Sequence, residues 1–155
     1  MSGFTRLSNI VAVCVLGLAL AACASGPLYS EMQGKIPNLA AYAGRIYIYR
    51  TGIIGAGVQP AVEINGLAVG STKPEGFFYV DRPPGNYTIT ASIDVDRPLS
   101  LTLDAGQTRY VRLDVGFGWV VPSVHLELVP DAEGEKDISA LHYTGQIGSA
   151  ALQQP

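Results

Sequence analysis

The chain has 155 residues, a formal net charge of −3 and a hydrophobic fraction of 48%, which suits one domain with accessory segments. Its 10 Lys and Arg residues are scattered among 13 acids. Because nucleic-acid binding relies on clustered cations, we exclude nucleic acid as a partner.

The N-terminal residues 1–22 have the pattern of a secretory signal. One positive charge, Arg6, precedes an apolar run from Ile10 to Leu20. This run is shorter than the roughly 20 residues that a transmembrane helix needs. A positive start, a short apolar core and small residues after it predict an N-terminal signal helix that is removed on export.

The run ends in Leu20-Ala21-Ala22-Cys23, which resembles the lipobox of bacterial lipoproteins. The resemblance implies that a signal peptidase recognises Leu20, Ala21 and Ala22 and cuts before Cys23, which then carries covalent lipid. Several acyl chains make a stable membrane anchor, whereas one chain binds only marginally. Ala24, in place of aspartate, resembles the sorting pattern for the periplasmic face of the outer membrane.

Cysteine usage agrees with this prediction. Of the 2 cysteines, Cys14 lies in the segment to be removed and Cys23 is blocked by lipid. The mature domain then has no disulfide and is held by burial of apolar surface. Residues 23–43 mix Gly, Pro, Ser and Ala, and we expect a lipidated N-terminus followed by a flexible linker on which Ile36 and Leu39 can dock.

Between residues 44 and 130 apolar side chains recur with period two, which predicts half-buried strands. Asn65-Gly66 is a strong signal for a type I′ hairpin. Strands are expected over residues 45–50, 61–64, 67–70, 77–80, 86–93, 99–103, 111–115 and 124–128. About seven or eight short strands at this spacing predict an all-β fold, an antiparallel two-sheet sandwich. The tail, residues 131–155, is expected to hold a short helix over 133–142.

The domain resembles a family of bacterial lipoproteins known only as a domain of unknown function. The resemblance covers roughly residues 37–142 and is carried by segments 44–50, 62–66, 69–70, 84–89, 105–112 and 124–129. It implies a sandwich of the transthyretin-like or carboxypeptidase-regulatory-like type. It implies no established activity.

No catalytic constellation is found in the sequence. His125 alternates outward on a strand and His142 lies in the tail, so neither is placed in a triad or a zinc site. Asp94 and Asp96 flank a turn and lack the further oxygen ligands that Ca²⁺ requires. We therefore predict no enzyme activity, no metal and no cofactor other than the lipid on Cys23.

Two apolar, Gly-rich loops, residues 51–58 and 116–122, are less usual, since loops are mostly polar. They predict a partner-binding or membrane-touching patch centred on Ile53, Ile54, Phe117 and Trp119. The alternative is that both loops cap the open ends of the sandwich.

A stripe of Tyr and Arg on the outward faces offers a second surface. Its members are Tyr47, Tyr49, Tyr110 and Arg112. Cross-strand aromatic pairs also stabilise sheets that bind no partner.

The sequence as a whole predicts a membrane-anchored envelope lipoprotein whose β-sandwich is a binding or scaffold module for other envelope components. Its expected partners are the membrane and an envelope protein. Two alternatives stay open: a lipid-anchored enzyme or small-ligand carrier using a pocket between the loops, and a structural protein that covers membrane surface.

Overall fold

Nine strands and two short helices make up the part of the chain that the computed structural model describes, residues 24–117 and 122–145. The strands are β1 (Gly44–Arg50), β2 (Ala61–Ile64), β3 (Leu67–Ser71), β4 (Gly76–Arg82), β5 (Gly85–Ala91), β6 (Asp94–Leu103), β7 (Thr108–Phe117), β8 (Pro122–Val129) and β9 (His142–Tyr143). The helices are α1 (Tyr29–Met32) and α2 (Asp131–Ile138). The predicted all-β, two-sheet fold is confirmed.

The strands form a five-stranded sheet, in the order β8-β7-β1-β4-β9, and a four-stranded sheet, in the order β3-β2-β5-β6. The prediction of purely antiparallel sheets is wrong in two places, because β7 pairs parallel with β1 and β9 pairs parallel with β4. Hairpins impose antiparallel pairing. The chain reaches β7 from β6 of the other sheet, so no hairpin constrains its direction beside β1.

The β2–β3 turn has the predicted chemistry. Asn65 and Gly66 have φ angles of 51° and 78°, as a type I′ turn requires. Strand β5 ends at Ala91, whereas it was expected to continue to residue 93. It ends there because Ser92 starts a turn and donates its N–H to the carbonyl of Ala61. Ile93 is thereby left 40% exposed.

The core between the sheets follows from the period-two pattern, since alternate residues of each strand point to the same face. The inward-facing aliphatic side chains of both sheets are almost fully buried. They include Ile46, Ile48, Val111 and Leu113 from the five-stranded sheet and Val62, Ile64, Ile89 and Leu103 from the four-stranded sheet.

The other face of the five-stranded sheet is also buried, and it is rich in tyrosine. Tyr47 of β1 lies beside Tyr79 of β4 and stacks on Tyr110 of β7. The rings are covered by α1 and α2, whose contacts include Tyr29 packed edge-on against Phe77. The sequence analysis considered a binding surface that includes Tyr47, Tyr49 and Tyr110. The structure shows instead that these three side chains are buried within the domain.

The expected linker is in large part docked. Tyr29 donates its N–H to the carbonyl of Leu141 at 3.0 Å, and Met32 of α1 is buried in the core. Residues 24–36 thus differ from a free tether, because Met32 is buried and Tyr29 packs against Tyr47 and Phe77. Ile36 packs against the core, as expected.

The tail continues the domain as far as residue 145. Helix α2 begins at Asp131 and ends at Ile138, so the expected helix over 133–142 is shifted. Ile138 and Leu141 are buried, and the chain then pairs with β4 as β9. The helix ends early because residues 142–143 gain strand hydrogen bonds and bury Tyr143. Residues 146–155 lie outside the described part.

Candidate functional site

The loop of residues 51–60 is held by one buried side chain. Arg50, the last residue of β1, is 1% exposed; its guanidinium donates to the carbonyl of Val58 at 2.8 Å and to that of Ile54. Burial lowers the pKa of Arg50, partly offset by the charge of Asp114. The loop closes further through the N–H of Val58, which donates to the carbonyl of Gly55.

Two predicted patch residues project from this fixed loop. Ile53 and Ile54 are 61% and 64% exposed, although the loop backbone is fixed beneath them. Gly55 has a φ of 71°, and a β-carbon there would lie 2.7 Å from the side chain of Val115. The alternative reading, in which the loop folds back over the core, therefore applies to its backbone but not to these two side chains.

The other predicted site residues fall at or beyond the edge of the described part. Phe117 is the last residue of β7. Trp119 lies outside the described residues, as do Leu20, Ala21, Ala22 and Cys23.

The strand register places the loop and the start of the described chain at one end of the sandwich. Arg50 at the end of β1 pairs with Gly76 at the start of β4. Ala24 is buried beside this point, and its N–H donates to the carbonyl of Pro74 at 3.1 Å. We call the end formed by Ala24, Arg50 and Gly76 the Ala24 end. The β2–β3 turn lies away from this end, where Asn65 is level with Thr88 near the middle of β5.

A charged pair lies on the tyrosine face. Arg45 makes a bidentate contact with Asp81, at 2.7 and 2.8 Å, and its guanidinium lies 4.4 Å from the ring centroid of Tyr79. Burial by itself lowers the pKa of Arg45, but the hydrogen bonds and charge of Asp81 outweigh it and raise this pKa above the ordinary value. The third contact, to the carbonyl of Pro37 at 2.9 Å, fixes the chain before β1.

Arg112 connects β7, β8 and α2. Its guanidinium contacts one carboxylate on β7, one on β8 and two on α2 at 2.6–3.5 Å, and the hydrogen bonds that it donates to Glu133 and Glu127 raise its pKa. The four acids are Asp114, Glu127, Glu133 and Asp137. Because Asp137 also accepts from the Tyr49 hydroxyl at 2.8 Å, this network holds α2 onto the sheet.

The two histidines are far apart in the fold. His125 is exposed on β8 opposite Asp114, whereas Nδ1 of His142 lies 2.7 Å from the carbonyl oxygen of Gly26.

An open depression of about 260 Å³ is lined by neither histidine. Its lining residues are Asn86, Tyr87, Thr88, Ser100, Leu101 and Thr102. It lies on the strands β5 and β6 rather than between the loops, where a ligand pocket had been considered.

Residues 24–117 and 122–145 contain neither a membrane-spanning helix nor a metal-binding group. None of the helices there has the length and apolar character needed to cross a bilayer. The same residues contain no group of three or more His, Cys, Asp or Glu side chains placed to hold a metal ion.

Comparison with known families identifies the domain. The pattern of the family described as "Protein of unknown function (DUF2846)" matches residues 40–125, more than half of the chain. The chain belongs to the DUF2846 family. The match spans β1 to the first part of β8, so it includes the Arg50 loop and the inner core; α1, α2 and β9 lie outside it.

Two individual proteins are also similar to this chain. An uncharacterized protein of Haemophilus influenzae is 28% identical over 132 residues, which cover 82% of this chain and 79% of that protein. The solved structure of the N-terminal domain of AlgF from P. aeruginosa is 20% identical and has a TM-score of 0.38, covering 58% of this chain and 99% of that one.

Sequence patterns gave no sign of Arg50 as the residue that fixes the loop. Arg45 and Arg50 lie on the same strand, β1, and alternation alone puts these two arginines on opposite faces. A cationic side chain at a strand end is normally read as solvent-exposed. Only the position of Arg50 opposite Gly76 and beneath residues 54–58 shows that it is buried.

Proposed function

We propose that this member of the DUF2846 family is a lipid-anchored protein of the bacterial envelope, and that its sandwich is a non-catalytic module that binds or supports other envelope components. The observation that carries the proposal is the order of Arg6, a short apolar run and Leu20-Ala21-Ala22-Cys23 directly before Ala24. This order is typical of a cleaved export signal.

Ala24, the residue directly after the proposed lipidation site, already belongs to the folded domain, since it is buried. Ala24 itself is tied to Pro74. Acyl chains on Cys23 would therefore be attached one residue from a folded domain.

The surface available to an envelope partner is that of the four-stranded sheet. Its outer face is polar and is not covered by residues 24–117 or 122–145, since Thr88, Ser100 and Thr102 are exposed there. Thr102 donates to the side chain of Asn86 at 2.8 Å. Its edge strand β3 is mostly exposed, and edge strands can pair with a segment of another chain. By contrast, the five-stranded sheet is covered by the chain's own helices.

Metabolic labelling tests the anchor. The full chain is expressed in a bacterial host with radiolabelled palmitate, beside a Cys23→Ser variant and a Cys14→Ser control. We expect label in the wild type and in Cys14→Ser, none in Cys23→Ser, and a mature N-terminus at residue 23. Label that persists in Cys23→Ser would contradict the proposal.

In-cell crosslinking followed by mass spectrometry tests the module. We expect envelope proteins to be recovered with the wild type, and those contacts that need the membrane to be lost with Cys23→Ser. Recovery of the same background proteins with both forms would count against a binding or scaffold role.

A further inference from the structure

The position of Ala24 has a direct consequence for orientation. Consecutive Cα atoms are 3.8 Å apart, and Ala24 is held at the Ala24 end by its hydrogen bond to Pro74 and by close packing against Gly76. The first residues of the mature chain thus cannot act as a long spacer. If Cys23 carries lipid, the bilayer surface lies against the end of the sandwich where Ala24 is fixed.

The loop that carries the exposed side chains of Ile53 and Ile54 emerges at the same end. Gly55 lies over Val115 of β7, and Ala24 lies beside β4 and β9. Because β7 and β9 are three strand spacings apart in the sheet, the lateral offset is about 15 Å. A flat bilayer surface that receives the acyl chains therefore also reaches Ile53 and Ile54.

The loop is suited to lipid. Residues 51–60 contain no charged side chain, so its insertion would bury no ion. Ile93, which is 40% exposed, also lies at this end, since Ser92 bonds to Ala61 at the start of β2. Lys73 and Glu75, between β3 and β4, give this end a polar rim that limits insertion to the interfacial depth of roughly 5–10 Å seen for amphipathic segments.

We infer that the Ala24 end of the sandwich lies flat on the bilayer and that Ile53 and Ile54 enter the lipid beside the acyl anchor. This inference rests on the proposed lipidation of Cys23. It leaves the Asn65 turn and the outer face of the four-stranded sheet outside the lipid, where a partner can reach them. Leu67, which is 71% exposed beside the Asn65 turn, is then the matched position that lipid does not reach.

Depth-dependent quenching tests this orientation. Loss of Cys14 with the signal and modification of Cys23 leave the mature protein without a free thiol, so Ile54→Cys or Leu67→Cys adds a single one. Each mature variant is labelled with an environment-sensitive fluorophore and reconstituted into vesicles of phosphatidylethanolamine and phosphatidylglycerol that contain doxyl-labelled lipid. We expect quenching and a blue shift of the emission at residue 54 and neither at residue 67.

The mass of the mature protein separates this inference from the proposed function. An acylated Cys23 with no quenching at residue 54, or with equal quenching at both positions, overturns the orientation and leaves the anchor intact. An unmodified Cys23 overturns the anchor. In that case both labels are placed in a Cys23→Ser background, where selective quenching at residue 54 still supports lipid contact by the loop and its absence overturns both.

Discussion

Tyr47 of β1 stacks on Tyr110 of β7, with ring centroids 5.3 Å apart and ring planes 6° from parallel. The two residues are register partners in the parallel pair of strands. Because α1 and α2 cover these rings, the five-stranded sheet is buried on both faces. The domain therefore has a second apolar layer in addition to the core between its sheets.

Because Gly134 packs against Tyr110 of this second layer, we predict that a larger side chain at residue 134 destabilises the domain. A β-carbon on Gly134 would lie 2.2–2.6 Å from ring and side-chain atoms of Tyr110. Alanine is favoured over glycine within helices by about 1 kcal/mol, but overpacking costs about 1–3 kcal/mol. We expect Gly134→Ala to lower the free energy of unfolding, measured in urea, although propensity alone predicts a gain.

The control for this prediction is Ala132→Gly, at an exposed position of the same helix. It removes no packing and should cost only the propensity difference, about 1 kcal/mol. A stabilised Gly134→Ala protein would show that α2 is not seated on Tyr110.

The tyrosine layer also predicts a loss of stability at high pH. Burial raises the pKa of Tyr47 from 10.0 to about 12, and likewise that of Tyr143. Above pH 10 the unfolded chain releases these protons while the folded chain keeps them, so the free energy of unfolding is fully present below pH 10 and falls between pH 10 and 12.

Urea unfolding at a series of pH values between 9 and 12 measures this dependence. The variant Tyr47→Phe removes one titrating group and should flatten the decline. An unchanged slope in Tyr47→Phe would mean that this hydroxyl does not titrate differently in the two states.

Docking of the N-terminal segment predicts a requirement for glycine at residue 26. A β-carbon there would lie 1.8 Å from the carbonyl oxygen of Tyr143, and backbone atoms cannot move aside cheaply. We expect Gly26→Ala to detach residues 24–36 from β9, to lower the free energy of unfolding by about 1–3 kcal/mol, and to expose the bond after Lys35 to trypsin.

Gly34→Ala is the matched control, since no atom lies within 4 Å of a β-carbon at that position. Its trypsin digestion pattern should equal that of the wild type. If Gly26→Ala were as resistant as Gly34→Ala, the segment would not depend on its contact with Tyr143.

The loop at the Ala24 end depends on Arg50. Arg50→Met keeps most of the side-chain volume but leaves the carbonyls of Ile54 and Val58 without their donor, which costs about 1–3 kcal/mol for a buried polar group. Arg109→Met, which removes a single 3.3 Å surface hydrogen bond to Thr102, should change stability by less than about 0.5 kcal/mol. Amide hydrogen exchange over residues 51–60 should accelerate in the first variant only.

Local signals in the sequence were sufficient for the strands and for one turn. Alternation of apolar residues predicted the ends of the eight strands β1 to β8 to within a few residues, and Asn65-Gly66 identified the hairpin. The same alternation placed Tyr47 and Tyr110 outward but was silent on what lies over them. Burial of Tyr47 comes from Tyr29 and from α2, which are distant in sequence.

The candidate site was found only in part. The sequence identified Ile53 and Ile54 as apolar loop residues, because residue type alone shows this. The residue that fixes them, Arg50, was not visible, because its acceptors are backbone carbonyls and carry no side-chain signature. The common location of Ala24 and residues 51–60 follows from strand register, which no local pattern contains.

The sequence by itself determined the alternating strands and the type I′ turn, since each depends on neighbouring residues and on the conformations that they allow. The tertiary structure decided the parallel pairing of β1 with β7, the covering of the tyrosine face and the docking of residues 24–36. These features depend on contacts between segments far apart in the chain, and their free energy exists only once both surfaces have met.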